Sequence, residues 1–461
     1  MGLPATATNT MSNTLSKRRE GTLFRWAFVL TLILLFSQVW WDIGGFTFRL
    51  IDLVLLFLLG RYLVTGLLTK RLRYYHSALN VPLLVWSAAI LLGAMITQLR
   101  PVDAADQQDA IINGIRLVLA FSLFFIVSND RSISTVDKAR TVFFTVIIFS
   151  FLTTVVSLLQ IAYWSGKLPF SLPAILVQFR ENANQEPGRE IFALFVGNSG
   201  THVWSAMLAF QALTVWVAAT TTKKRVRQLM GLAYFLLLSL ILVRTSVRNS
   251  ALGLVVAVIF LSLIRALRSR YIANRLAIPI IVLLALGGGI ALLVTFGTEQ
   301  YFVQRLVQAI PRLTGEGIVI NRASNIYGRL GYIAAGLTIF NRYPLFGGGF
   351  YGYRTYYVDL TRDTTISHAH NSYVQVLAEL GLIGALALGW LLWRGFGLLV
   401  VSGRDIAYRR IWERRAWYLA VSSSFFMLFT AFFANPIWEP SEVAFLMILI
   451  ALVNRFYWER T

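Results

Sequence analysis

The chain contains no cysteine and only four histidines among its 461 residues. The lack of cysteine excludes disulfide bonds, thiol nucleophiles and zinc sites built from cysteine. Acidic residues are scarce as well, since 21 aspartates and glutamates stand against 42 lysines and arginines. Charged residues make up only 14% of the chain and hydrophobic residues 57%. This composition differs from that of a soluble domain and indicates a membrane protein with many spans.

The formal net charge of +21 does not indicate nucleic-acid binding. In a membrane protein, lysine and arginine concentrate in the cytoplasmic loops and fix the orientation of the spans. The apolar runs leave no soluble domain that could carry a nucleic-acid site, so we expect no nucleic-acid partner.

Apolar runs between charged breaks predict an all-α polytopic fold with about twelve transmembrane helices. The predicted spans lie near residues 23–41, 50–68, 79–98, 110–128, 141–164, 200–220, 229–244, 249–266, 277–296, 373–393, 416–434 and 441–458. The first run follows Lys17-Arg18-Arg19 and is predicted to be a retained span, because no small-residue cleavage site follows it.

Basic clusters fall on alternate connections, which predicts that both termini are cytoplasmic. The predicted organisation is a cytoplasmic tail (1–22), nine spans (23–296), a large extracytoplasmic loop (297–372) and three further spans (373–461). The loop contains two predicted amphipathic helices, near Gln300–Pro311 and Ala323–Phe340, and a glycine-rich turn at 341–350. A loop of this length is usually functional. Its many aromatic side chains suit either a sugar-binding groove or an interfacial belt, and Trp438, in a short outer turn, is predicted to be an interfacial anchor.

Several arginines lie on the predicted outer side, where the orientation rule does not require them. Arg244 and Arg248 stand between two apolar runs, and Arg116 lies within the fourth predicted span. Unpaired charge is costly there, and the arginine fork matches phosphate oxygens. These residues therefore suggest a phosphate or diphosphate ligand. The alternative is a solvated basic loop, because long translocated loops escape the orientation rule.

The polar segment Ser367–Tyr373 stands directly before a long apolar run, which predicts that His370 lies at a membrane surface. A histidine there can act as a general base, since its ordinary pKa of about 6.5 leaves it largely neutral at physiological pH. Two other interpretations remain open. His368 and His370 could hold a metal with Asp359, Asp363 or Glu379, or His370 could cap the tenth span or form a hydrogen bond across the loop.

His370-Asn371, nine further residues, and Gly381-Leu382-Ile383-Gly384 resemble the motif of the O-antigen ligase family. That motif is a histidine, then Asn, Ser or Gln, a nine-residue spacer, Gly, two residues, and Gly, Thr or Tyr. The preceding segment, from Arg329-Leu330-Gly331-Tyr332 to the turn Pro344-Leu345-Phe346-Gly347-Gly348-Gly349, is similar to the loop helix and glycine turn found before the motif in the wider superfamily of O-antigen ligases and polymerases.

The resemblance implies a GT-C type membrane glycosyltransferase that uses an undecaprenyl-diphosphate glycan at the periplasmic face of the bacterial inner membrane, without a metal or other cofactor. It implies that His370 is the catalytic residue and that Arg248 and Arg189 bind the diphosphate. Arg244, because of its place between two apolar runs, is expected to bind the diphosphate with them. Asn371, His368, Arg116 and Arg329 are expected to support them. One departure is that Gly197-Asn198-Ser199-Gly200-Thr201-His202 stands where the family commonly has a Gly-x-x-Asn-Pro-Asn-like stretch.

The expected reaction is transfer of the glycan to a sugar hydroxyl of lipid A-core, with inversion of configuration, as in a ligase. The first alternative is a polymerase whose acceptor is a second lipid-linked glycan. A transporter of lipid-linked glycans would place charged residues at the membrane midplane, often in two repeated halves. A non-catalytic assembly protein would not need His370.

Overall fold

The computed structural model describes residues 5–37, 40–43, 46–68, 77–164, 201–245, 247–268, 325–361, 366–404 and 406–459. Within these ranges the chain forms thirteen α-helices and one two-stranded antiparallel sheet. The helices are α1 (Ala5–Ser37), α2 (Leu50–Leu68), α3 (Asn80–Leu99), α4 (Ala104–Asn129), α5 (Thr135–Trp164), α6 (Thr201–Thr221), α7 (Arg225–Arg244), α8 (Arg248–Arg268), α9 (Asn325–Arg342), α10 (Tyr353–Thr361), α11 (Ser372–Ser402), α12 (Ile411–Thr430) and α13 (Pro440–Trp458).

The chain is a multi-pass membrane protein. Nine of the described helices are long and apolar enough to cross a bilayer: α2, α3, α4, α5, α6, α7, α8, α11 and α13. The apolar part of α1, Gly21–Ser37, is shorter, and α12 has twenty residues. These eleven helices coincide with eleven of the predicted spans. The ninth predicted span (277–296) and the predicted helix at Gln300–Pro311 lie outside the described residues.

The first span ends earlier than the sequence predicts. Helix α1 stops at Ser37, and strands β1 (Trp40–Ile43) and β2 (Phe46–Arg49) follow, with Ile43 paired to Phe46. The two strands are separated by Gly44-Gly45 and are rich in aromatic residues, a combination typical of a tight hairpin. The sequence did not predict these two strands, whereas the remaining described elements are helical, as predicted. Helix α10, within the large loop, was also not predicted.

The bundle is built around α6 and α13. In their membrane-crossing windows 89% of the α6 residues and 78% of the α13 residues are buried, against 22% in α2 and α7. Helix α13 packs along α4 and α12, α6 packs on α7 and α12, and α11 packs on α3 and α9. A helix that is apolar all round belongs in the centre of a bundle, whereas the exposed leucines of α2 and α7 suit contact with lipid.

Helices α4, α6, α8, α11 and α13 begin at the same end of the bundle, because residues from the first turns of all five line one cavity. We call this the cavity end. Since α4 and α6 exceed twenty residues, their far ends lie on the order of 30 Å away. The connections from α4 to α5, α6 to α7 and α11 to α12 are therefore at the opposite end, with their basic residues Arg131, Lys223, Lys224, Arg404, Arg409 and Arg410.

Candidate active site

The cavity has a volume of about 350 Å³, within the range of small-molecule sites in proteins. It is lined by polar and titratable groups from segments far apart in the chain. The lining residues are Asp106, Asp109, Val203, Ala206, Asn249, Ser250, Tyr351, Arg354, Ser367, His368, His370, Gln375, Glu379, Thr430, Ala434, Asn435, Pro436, Trp438, Glu439 and Glu442.

Two histidines lie side by side at the cavity wall. The ring centres of His368 and His370 are 4.2 Å apart, and the ring centre of Tyr332 is 5.3 Å from that of His370. The Ser367 hydroxyl is 2.8 Å from Nδ1 of His368. Burial lowers the pKa of His368, which keeps this ring neutral at physiological pH.

The backbone at His370 has φ of +51°, a left-handed conformation that is uncommon for a residue with a side chain. Such backbone strain persists only where the surroundings hold it, and it is frequent at active sites. Here the residues on both sides of His370 are fixed by hydrogen bonds, which aim its ring into the cavity.

Asn371 supplies the cap at the start of α11. Its side-chain oxygen accepts hydrogen bonds from the amides of Tyr373 (3.0 Å) and Val374 (3.1 Å). Ser372 donates its amide to the carbonyl of Ala431 (2.7 Å), just beyond α12. The sequence left open that His370 itself caps this helix, and that interpretation is wrong, because the cap belongs to the next residue.

A chain of hydrogen bonds joins the histidine loop to a buried carboxylate. The amide of Ala369 donates to Oε1 of Gln375 (2.6 Å), and Nε2 of Gln375 donates to Oε1 of Glu379 (2.6 Å). The amide of Tyr353 is 3.4 Å from the same carboxylate oxygen. Gln375 and Glu379 lie one turn apart on α11, so this helix sets the position of the residue immediately before His370.

The glycine-rich turn docks into a break in α11 at Gly381, where φ is +63°. The carbonyls of Ala378 and Glu379 accept hydrogen bonds from Gly348 (2.7 Å) and Gly349 (3.0 Å). In return, the amides of Leu382 and Ile383 donate to the carbonyls of Pro344 (2.8 Å) and Leu345 (3.2 Å). At the break, hydrogen bonds to the turn replace hydrogen bonds within the helix. All four of these amide donors are therefore paired, as an apolar environment requires.

Carboxyl groups are the most frequent titratable side chains in the cavity lining. Asp106 and Asp109 lie near the start of α4, Glu439 and Glu442 at the start of α13, and Glu379 on α11. Asp106 accepts a hydrogen bond from the Thr355 hydroxyl (2.7 Å), and its other oxygen is 3.9 Å from Arg354. Burial raises the pKa of Glu439, an effect that nearby Arg49 opposes.

The side chains of three of the five predicted arginines lie outside the described residues. Arg244 ends α7 and Arg248 begins α8, and the next two residues, Asn249 and Ser250, line the cavity. The side chains of Arg244 and Arg248, and the whole of Arg189, lie outside the described part of the chain.

Arg116 and Arg329 are placed away from the cavity lining. Arg116 forms an ion pair with Asp52 of α2, with 2.8 Å between Nε and Oδ2. Arg329 is half-buried on α9 near Tyr332, and burial lowers its pKa. The structure thus brings His368, His370 and the start of α8 together, whereas Arg116 and Arg329 are not among the residues that line the cavity.

The metal interpretation has no support in the described residues, where no group of three or more histidines and carboxylates has a metal-binding arrangement. Glu379 does line the cavity with both histidines, Asp359 is exposed on α10, and Asp363 lies outside the described ranges.

Sequence reasoning missed the carboxylates other than Glu379, and it missed the place of Trp438. This tryptophan is not an interfacial anchor: it is buried, stacks on Trp86 (5.9 Å between ring centres) and lines the cavity. A signal was present, because Glu442 is one of only 21 acidic residues and lies in the first turn of an apolar helix. An acidic residue at a helix start is also common simply because it complements the helix dipole.

Comparison with known families identifies residues 233–389 as matching the model described as O-Antigen ligase. The matched segment covers about a third of the chain, from within α7 to the middle of α11. It includes Arg244, Arg248, both cavity histidines and Gly381, so the family resemblance stated from the sequence is confirmed. No curated protein matches the chain.

Proposed function

We propose that this multi-pass membrane protein transfers a glycan from undecaprenyl diphosphate to a sugar hydroxyl, with His370 as the base. The family match over residues 233–389 supports transfer of a lipid-linked glycan by a ligase or polymerase. The lining of the cavity supports the assignment of the reacting groups.

One observation carries the proposal. His370 lines the same cavity as Asn249 and Ser250, the residues that follow Arg248 at the start of α8. Within the family match, the motif histidine and the start of α8 are far apart in sequence. Both nevertheless contribute residues to one cavity. The N-terminal end of a helix favours an anion through its free amides and its dipole, and an adjacent arginine adds a full charge.

The proposed reaction exchanges one bond at the anomeric carbon for another. The acceptor oxygen forms a bond to this carbon while the bond to the diphosphate oxygen breaks, and undecaprenyl diphosphate leaves with the electron pair. His370 takes the proton from the acceptor hydroxyl. Attack opposite the leaving diphosphate inverts the configuration. Arginines fixed at the diphosphate stabilise the charge that develops there, so the proposal includes no metal.

The loop geometry supports a precise position for His370. Its strained backbone lies between Ala369, held by Gln375, and Asn371, which caps α11. A base is effective only when it is within hydrogen-bond reach of the proton that it removes. Gln375 and Glu379 are therefore positioning residues in this proposal.

The proposed orientation places the cavity at the periplasmic face and both termini in the cytoplasm of a bacterium. The basic connections from α4 to α5, α6 to α7 and α11 to α12 lie at the end opposite to the cavity. Since cytoplasmic loops are enriched in lysine and arginine, this arrangement supports an outward-facing cavity.

The acceptor distinguishes a ligase from a polymerase, and the spacing after His370 favours the ligase. The test uses full-length protein in nanodiscs, a defined undecaprenyl-diphosphate glycan, and either lipid A-core or a second lipid-linked glycan as acceptor, with EDTA present. We expect a product on lipid A-core that is lost in His370→Ala. Elongation of the lipid-linked glycan alone would assign a polymerase. Donor binding without transfer to any acceptor would overturn the proposal and favour a transporter.

A further inference from the structure

Two carboxylates in the cavity have a buried oxygen with no hydrogen-bond partner among the described residues. These atoms are Oε2 of Glu379 and Oε2 of Glu442. Their residues are 1% and 3% exposed, and both line the cavity. A buried carboxylate oxygen without a partner is costly, so such an atom at a cavity wall indicates a ligand that donates hydrogen bonds.

Two further polar atoms at the same wall complete the pattern. The indole Nε1 of Trp438 and Oδ1 of Asn435 are also buried without a partner among the described residues. Trp438 is held by stacking on Trp86 and by an edge contact with Phe350. The wall therefore presents both acceptors and a donor, together with an aromatic residue, a combination that suits a sugar carrying several hydroxyls.

The scarcity of cationic groups in the described wall argues against an anionic ligand at this place. Five carboxylates line the cavity, and Arg354, the arginine in its lining, is half exposed and lies 3.9 Å from Asp106. Among the described residues, Arg354 is the one lysine or arginine of the lining, so a phosphate or carboxylate group placed beside Glu379 and Glu442 would be desolvated without a cation to pair with.

The helix starts divide the cavity into two sides. The first turns of α4 and α13 contain the acidic residues Asp106 and Glu442, whereas those of α6 and α8 contain none. The side at α8, next to Arg248, is the one suited to a diphosphate. The side at α13 is left for the second substrate, and His370 lines the same cavity.

We propose that Glu442 and Glu379, with Trp438, bind the sugar of the acceptor, and that this sugar is a neutral polyhydroxylated ring without phosphate or carboxylate groups. That the bound sugar belongs to the acceptor rests on the proposed function. Binding of a sugar at this site does not itself require catalysis. Hydroxyls of the sugar donate to the two free carboxylate oxygens, and the indole N–H donates to a sugar oxygen. Because a sugar hydroxyl can both donate and accept a hydrogen bond, these fixed positions discriminate between sugars by where their hydroxyls lie.

The first experiment measures transfer against acceptor concentration for Glu442→Gln in the full-length protein. The variant keeps the shape of the side chain and replaces one carboxyl oxygen with an amide group. Loss of a hydrogen bond at a buried carboxyl group should raise the acceptor KM about tenfold to a hundredfold. We expect kcat and the affinity for undecaprenyl diphosphate to stay close to those of the wild type.

The matched control is Glu459→Gln, just past the other end of α13, where the carboxylate pairs with Arg455. It should leave the acceptor KM unchanged. An unchanged acceptor KM in Glu442→Gln, or a loss of donor affinity instead, would overturn the inference. If Glu442→Gln does not fold, Trp438→Phe removes only the indole N–H and the second ring, and it should raise the acceptor KM in the same direction.

A second experiment separates this inference from the proposed function. Binding of a neutral trisaccharide, and of the same trisaccharide carrying one phosphate, is measured without donor. We expect the neutral sugar to bind more tightly, and Glu442→Gln to weaken its binding. If the wild type binds the neutral sugar in this way but transfers no glycan, the proposed function fails and the sugar site stands. If transfer occurs but the phosphorylated sugar binds equally well, the sugar site fails and the proposed function stands.

Discussion

The imidazole rings of His368 and His370 lie with their centres 4.2 Å apart and their planes tilted by 54°. Burial lowers the pKa of His368, so one member of this pair stays neutral. A neutral neighbour does not repel the positive charge that His370 gains when it takes a proton, whereas a second imidazolium would. The pair therefore suits a single base supported by an uncharged partner.

The stability of the protein should fall when the pH is lowered through the ordinary pKa of histidine. Because the pKa of His368 is lower in the folded state than the reference value of 6.5, the unfolded chain takes up the proton first. This contribution to stability is complete above that value and is lost as the pH falls towards the folded pKa. In His368→Asn the contribution is absent, so the thermal midpoint should decrease less between about pH 7.5 and about pH 5.5. Equal decreases in both proteins would contradict the assignment.

Glu439→Gln should stabilise the protein at neutral pH. Burial raises the pKa of this carboxyl, so its charged form is disfavoured in the folded state despite the attraction of Arg49. The contribution of Glu439 to stability is present below the reference value of 4.5 and is lost as the pH rises through the folded pKa. The gain in thermal midpoint for Glu439→Gln should therefore grow with pH. A gain that is the same at every pH would show that titration of Glu439 is not its cause.

Gly381→Ala should destabilise the protein severely. A Cβ at this position would lie 2.5 Å from the amide nitrogen of Gly347 and the carbonyl oxygen of Leu345, and φ of +63° is itself unfavourable for alanine. Strain and overlap together should cost about 2 kcal/mol or more, measured as a loss of thermal stability in detergent. Gly389→Ala is the matched control on the same helix, because no atom lies within 4 Å of its added Cβ. If both variants behave alike, the docking of the turn is not what requires Gly381.

Arg248→Ala should weaken binding of undecaprenyl diphosphate. Removal of a hydrogen bond between charged groups costs about 1.5–3 kcal/mol, which binding measurements at constant ionic strength can detect. Arg248→Lys should recover only part of the affinity, since lysine lacks the fork that binds two phosphate oxygens. The control is Arg225→Ala at the exposed start of α7, at the opposite end of the bundle. Equal affinities in Arg248→Ala and Arg225→Ala would remove Arg248 from the diphosphate site.

The absence of cysteine allows a direct test of orientation. Asp359 on α10 is exposed near the cavity end, and Lys223 is exposed between α6 and α7 at the opposite end. A membrane-impermeant thiol reagent added to whole cells of a bacterium with a permeabilised outer membrane should label Asp359→Cys and leave Lys223→Cys unmodified. The reverse pattern would place the cavity in the cytoplasm and contradict the proposed periplasmic reaction.

The sequence predicts the helical bundle well because span length and apolar content are local properties of the chain. It also draws attention to His370, since a short polar segment stands out beside a long apolar run, and the structure places this residue in the cavity lining. The β-hairpin after α1 was not predicted, because its aromatic residues are equally compatible with the end of a transmembrane span. Glycines within an apolar run do not reveal a break, so the special conformation of Gly381 becomes evident only once residues 344–349 are seen docked against it.

The cavity carboxylates could not be predicted as a group. Asp106 and Glu442 are separated by most of the chain, and each alone resembles an acidic residue placed at a helix start to complement the dipole. The packing of α4 against α13 brings these acidic residues to one cavity. Local sequence patterns do not encode such a tertiary contact.

The break in α11 also limits how the molecule can open. The glycine turn is tied to α11 by four backbone hydrogen bonds, and the histidine loop is tied to the same helix through Gln375 and the cap at Asn371. Swinging either segment aside would rupture several of these bonds at once, at about 1 kcal/mol each. The wall that carries His370 should therefore stay still during turnover. If the proposed function holds, passage of a bulky glycan and its lipid tail requires displacement of a part of the bundle that contains neither motif.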